Sequence, residues 1–165
     1  MTELLFRDDP YAKSCEATIT AINERGGIEL DRTVFYPTGG GQPGDTGSLR
    51  LADGGEITIA TTVKGEGADD VVHVPAEGQN LPAVGTAVTA SIDWDVRHRL
   101  MRIHTCLHLL SSVVEYPVTG GQISDGKGRL DFDMPEMTVE KEAITTRLNE
   151  LIQEAHPVST DWISD

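Results

Sequence analysis

Apolar and polar residues alternate along much of residues 16–94. Thr18, Ile19, Ala21 and Ile22 lead into the turn Arg25-Gly26-Gly27, and Ile28, Leu30, Val34 and Phe35 follow it. Successive side chains on a strand point to opposite faces, so this pattern predicts a hairpin with one buried face. A second hairpin is predicted from Ser48 to Leu51, a turn at Asp53-Gly54-Gly55, and Ile57 to Val63. Val71 to Val74 and Ala87 to Trp94 add two short strands, separated by a loop containing Pro and Gly. Short strands with regular turns indicate a small barrel or sandwich.

Near Trp94 the period changes. Leu100, Ile103, Leu107, Leu110 and Val114 recur at spacings of three and four, which is one stripe of a helix. Asp93 or Asp95 is placed to cap its start, and Pro117 with Gly120-Gly121 to end it. Gly128 to Phe132 reads as a strand. A last helix is expected after Thr138 as N-cap, with a stripe of Ile144, Leu148, Leu151 and Ile152, stopped by Pro157. The fold class is therefore α+β. Residues 1–93 form a β-rich domain carrying a glycine-rich loop, and residues 94–165 an α+β core.

Composition narrows the setting. In 165 residues no apolar run approaches the roughly 18 to 20 needed to span a membrane. The opening MTELLFRDDP lacks the basic and apolar regions of a secretory signal. Two cysteines, Cys15 and Cys106, are too few for a disulfide framework, so a reducing cytoplasm is the simplest compartment. A net charge of −14 argues against broad nonspecific binding to nucleic acid, though not against a local basic patch.

Three segments carry chemistry. His104-Thr105-Cys106-Leu107-His108 puts two imidazoles four residues apart, where a helix stacks them on one face and lets them share a metal ion. Thr105 follows His104 where a zinc protease has its glutamate base, which disfavours that class. The alternative is two histidines at a chance spacing. The second segment is Phe35-Tyr36-Pro37-Thr38-Gly39-Gly40-Gly41-Gln42-Pro43-Gly44-Asp45-Thr46-Gly47. Three consecutive glycines allow a backbone to approach a ligand, and Thr38 and Gln42 offer directed hydrogen bonds. No Lys-Ser/Thr follows, so it is not a phosphate-binding P-loop; a tight inter-strand turn is the plain alternative. The third segment, Val96 to Val114, holds Arg97, Arg99 and Arg102 and no acidic residue. That suits phosphate recognition, and a solvated helix face explains it equally well.

Together and in this order, the segments resemble the freestanding alanyl-tRNA editing proteins. FYPTGGGQPGDTG resembles their glycine-rich motif, and RHRLMRIHTCLHLLSSVV their arginine-rich lead and first metal motif. GKGRLDFDMPE and TVEKEAITTRLNELIQEAHPV resemble the strand and helix that follow in the editing core. The resemblance implies a small N-terminal β-barrel followed by an α+β editing core. It implies zinc-dependent hydrolysis of the ester in Ser-tRNA(Ala), with Gly-tRNA(Ala) as a second substrate, by metal-activated water. Carried onto this chain, His104 and His108 become zinc ligands. Gln42 lines the pocket with Gly40 and Gly41, Thr38 or Thr46 contacts the serine hydroxyl, and Arg97, Arg99 and Arg102 face the tRNA.

One departure bears on the metal. The family completes its site with a Cys and a His four residues apart beyond the last helix, and residues 1–165 contain no such pair. Zinc at a catalytic site takes three protein ligands, so either the chain is a fragment whose remaining ligands lie elsewhere, which is the favoured expectation, or its site is incomplete and its metal binding weak. Two other classes compete: a tRNA-acceptor-binding module without catalysis, and a metallohydrolase of small esters or amides.

Overall fold

A computed structural model describes residues 2–67, 69–136 and 140–159. A short strand β1 (Glu3–Leu4) and one helical turn α1 (Leu5–Asp8) precede the long strand β2 (Ser14–Ile22). There follow β3 (Ile28–Leu30), β4 (Arg32–Thr33), β5 (Gly47–Leu51), β6 (Glu56–Lys64), β7 (Val71–Pro75) and β8 (Ala87–Ile92). The second half consists of helix α2 (Trp94–Val113), strands β9 (Val118–Ser124) and β10 (Lys127–Phe132), and helix α3 (Lys141–Glu154).

Six strands close into an antiparallel barrel in the order β2-β3-β7-β6-β5-β8, and β8 pairs with β2 to seal it. The alternation seen in the sequence is the alternation of burial. In β6, Ile57 and Ile59 point inward between exposed Glu56 and Thr58, and in β8 Val88, Ala90 and Ile92 do the same. Ile19, Ile28, Leu30, Leu49 and Phe35 fill the interior. Val34 and Phe35 are fully buried but belong to no strand. They run as extended chain between β4 and the glycine-rich segment, so burial rather than pairing explains their apolar character.

The barrel core also holds a histidine. His73 is 0 % exposed; its Nδ1–H donates to the Ile28 carbonyl at 3.0 Å and its Nε2 accepts from the Thr33 hydroxyl at 2.8 Å. The same hydroxyl oxygen accepts the Phe35 N–H. Burial pushes the His73 pKa down to about 4, so the ring is neutral at neutral pH.

α2 begins where β8 ends, with Asp93 as its cap accepting the Val96 N–H. The C-terminal half of the chain differs from the expected pattern in two places. α2 already ends at Val113, before the expected stops: Pro117 lies in the connection and Gly120-Gly121 sit inside β9, antiparallel to β10. The final helix begins at Lys141 after Glu140, which makes no side-chain cap bond; the expected cap Thr138 lies outside the described residues. Ile144, Leu148 and Leu151 are only half-buried, and Ile152 is 54 % exposed. Among the described residues, no helix is long and apolar enough to cross a membrane.

Candidate functional site

The segment between β4 and β5 folds as a small hairpin of its own. Gly39 and Gln42 exchange two backbone hydrogen bonds of 3.0 Å, and the Asp45 N–H bonds the Tyr36 carbonyl. β6 anchors it: the Thr38 N–H donates to the Thr62 carbonyl, and the Thr62 hydroxyl donates to the Asp45 carbonyl. Two glycines are sterically required. A Cβ on Gly44 would stand 1.8 Å from the Thr62 carbonyl oxygen, and one on Gly41, at φ +77°, 2.9 Å from the Gly121 oxygen. At its tip the loop meets the β9–β10 hairpin, where the Ile123 N–H bonds the Gly41 carbonyl.

A buried ion pair joins this loop to α2. Arg97 and Asp45 are 3 % and 2 % exposed. The Arg97 Nε donates to both carboxylate oxygens at 2.8 and 2.9 Å, and one terminal nitrogen bonds the same carboxylate and the Val34 carbonyl. The other reaches the Pro10 carbonyl at 3.3 Å. Asp45 also accepts the Tyr36 N–H. Arg97 was expected to face tRNA phosphates; it is turned inward instead and orients the helix on the loop.

Two turns along α2 from Arg97, the helix brings His104 to the loop. His104 Nδ1 donates to Gln42 Oε1 at 3.0 Å, across 62 residues of sequence. This bond sets the tautomer and leaves Nε2 with its lone pair free. His108 stacks on His104, with ring centroids 4.9 Å apart and planes 12° from parallel. Desolvation, and then the neighbouring His108, hold the His104 pKa below the ordinary imidazole value, which favours the neutral form that binds metals. A cavity of about 530 Å³ lies beside the pair, walled by Gly40 and Gly41 on one side and by Leu107, Gln122 and Leu130 on the other.

The two imidazoles fit half of a zinc site. An imidazole nitrogen binds a metal in its own ring plane, so two nearly parallel rings do not yet converge. His104 is fixed by Gln42, and the exposed His108 is the ring free to swing toward it. Among the described residues no third His, Cys, Asp or Glu joins them. His73 is bonded inside the barrel, and His98 stacks on Trp94 at 5.3 Å. Cys15 sits on β2, and burial raises its thiol pKa.

The other expected residues are placed differently. The Thr38 hydroxyl donates to the Thr62 carbonyl and accepts the Gly44 N–H, so it shapes the loop. Thr46 accepts the Asp93 N–H through its carbonyl and does not border the His cavity. Arg99 is paired with Asp125 at 2.7 Å, and Arg129 with Asp131 at 3.2 Å. Among the described residues Arg102 and Lys127 have no ion-pair partner.

The family described as tRNA synthetases class II (A) matches residues 9–96. The alanyl-tRNA editing protein AlaX-M of Methanosarcina mazei is 40 % identical over 99 % of this chain and 68 % of its own length. The chain belongs to the alanyl-tRNA editing protein family. Its AlaX-M relative from Pyrococcus horikoshii is 37 % identical over the whole chain and 76 % of that protein. The alanine–tRNA ligase of Aeropyrum pernix matches 98 % of the chain at 33 % identity, over 18 % of its own length. Sequence reasoning missed Asp45 and the inward turn of Arg97. A signal was available: Arg97 precedes Leu100, the first residue of the apolar stripe, by three and so shares that face of the helix.

Proposed function

We propose that this chain hydrolyses the ester of mischarged tRNA(Ala), with Ser-tRNA(Ala) as first substrate and Gly-tRNA(Ala) as second. The observation that carries the reading is the His104–Gln42 bond, which couples a potential metal ligand to a loop built for close approach. The Gln42 carboxamide has its oxygen on His104, so its nitrogen is left to donate to a substrate hydroxyl or carbonyl. Such a donor favours serine over alanine, because alanine leaves it unpaired in a closed site. Gly40 and Gly41 let the acyl group lie against backbone. His104 and His108 would hold zinc with further ligands from outside the described residues. Bound there, zinc supplies an acidic water or polarises the ester carbonyl.

The test is deacylation of Ser-, Gly- and Ala-tRNA(Ala), with zinc analysis in parallel. We expect serine release to exceed alanine release, and His104→Ala to lower both zinc content and rate. Gln42→Ala should lower the rate and narrow the gap between serine and alanine. Binding of tRNA without any deacylation would identify a binding module. Equal rates on a seryl ester lacking the tRNA would identify a small-ester hydrolase.

A further inference from the structure

A second cavity, of about 440 Å³, shares His104 and Gln42 with the first but opens toward the N-terminal segment. It is far larger than a serine side chain needs. One wall is aromatic: Phe6 of α1 meets Tyr36 edge to face, with centroids 5.5 Å apart and planes at 75°. The Tyr36 hydroxyl is tied to the Gly39 carbonyl, which fixes that ring, and Met101 of α2 adds an apolar, polarisable surface. The mouth carries charge of both signs, most of it already partnered. Arg7 pairs with Asp69 at 3.0 Å, and the Asp70 carboxylate accepts the Gly67 N–H. Lys64, at the end of β6, is exposed and has no ion-pair partner among the described residues.

The chemistry of the substrate says what lies on this side. In an aminoacyl-tRNA the ester joins the amino acid to the ribose of the terminal adenosine. With the ester at His104, the acyl group and the nucleoside leave it in different directions. The first cavity is lined by glycines and the His pair, and the second by aromatic rings, with the Lys64 ammonium and the Asp70 carboxylate at its mouth, neither ion-paired among the described residues. Bases stack on aromatic side chains, and a lysine serves a phosphate as a point charge. We propose that this second cavity takes the terminal adenosine 5′-phosphate of the acylated strand, with its base against Phe6 and Tyr36 and its phosphate at Lys64. The proposal rests on the deacylase reading for its ligand, and its test does not depend on turnover.

The experiment is a titration with adenosine 5′-monophosphate followed by amide chemical shifts, on the unaltered chain, Phe6→Leu and Lys64→Ala. Leucine keeps α1 packed while removing the ring. We expect Phe6→Leu to weaken binding about tenfold, the loss of one stacked base. Lys64→Ala should weaken binding of the nucleotide several-fold at low salt and make it less sensitive to added salt, because the contact removed is a screened one between charges. It should leave the binding of adenosine, which has no phosphate, unchanged. In deacylation, both variants should raise KM with little change in kcat. No nucleotide binding at millimolar concentration, or shifts that ignore both variants, would overturn the proposal. Binding here without deacylation upholds the cavity and refutes the deacylase; deacylation with KM unchanged in both variants does the reverse.

Discussion

Neutralising Asp45 tests whether the glycine-rich loop and helix α2 are held together by a buried charge pair. Asp45→Asn preserves shape and removes the charge that faces Arg97. The guanidinium keeps its bonds to the Val34 and Pro10 carbonyls, but it is 3 % exposed and among the described residues no other carboxylate pairs with it. Leaving one partner of such a pair buried and unpaired costs about 3–5 kcal/mol. That is a large share of the roughly 5–15 kcal/mol that stabilises a domain. Equilibrium denaturation in urea, followed by far-ultraviolet circular dichroism, reads the loss as a lower midpoint with little change in slope. The double variant Asp45→Leu with Arg97→Met should recover much of it, since apolar replacement of a buried pair is often neutral. Asp125→Asn is the control, because its pair with Arg99 is half exposed on both sides and its loss should move the midpoint far less. A change of under about 1 kcal/mol for Asp45→Asn, the level of an exposed pair, would mean that water reaches Arg97 and that the pair does not fix the helix.

Two other outcomes follow from single residues. His73 is neutral and buried with its pKa lowered to about 4, below the unfolded value near 6.5, so its contribution is complete above that value and is lost as pH falls toward 4. Stability should drop by about 3 kcal/mol across that window, and His73→Gln should flatten the profile in denaturation series at pH 7, 5.5 and 4.5; an unchanged slope refutes it. Arg102 has no ion-pair partner and lies on α2 two residues before His104, so Arg102→Glu should weaken tRNA binding, most at low salt. Equal affinities across a salt series would remove Arg102 from the interface.

The barrel was legible because each strand buries one face, and a period of two marks that wherever it occurs. Helix α2 was legible from its spacings of three and four, although of that stripe Leu100 and the C-cap Val114 are buried while Ile103, Leu107 and Leu110 are half-buried. β9 was not: in VTGGQIS only Ile123 is buried, and Gly120-Gly121 looks like a helix terminator. Its pairing with β10 comes from the antiparallel register, which no local pattern encodes. The His pair was visible as a spacing, whereas its partner Gln42 lies 62 residues away and is brought to it by the fold. Arg97 escaped notice because arginine on a helix is ordinarily solvated, and only the distant Asp45 makes its burial tolerable. The N-terminal turn with Phe6 and Arg7 gave no periodic signal, because four residues are too few to show one.

β8 is hydrogen-bonded on both sides, to β5 and β2, and one residue later the chain enters α2. The last stave of the barrel and the helix bearing His104 are thus joined through the single residue Asp93. Opening the barrel releases the histidines with it, so the barrel and the His104–His108 pair belong to a single cooperative unit. α3, with no buried residue, stands outside that unit and can exchange its amide hydrogens through local opening while the site stays assembled. A substitution deep in the barrel, at Leu49 or Ile59 for example, therefore acts on editing through the fraction of molecules folded, whereas one in α3 can change protease sensitivity and leave turnover untouched.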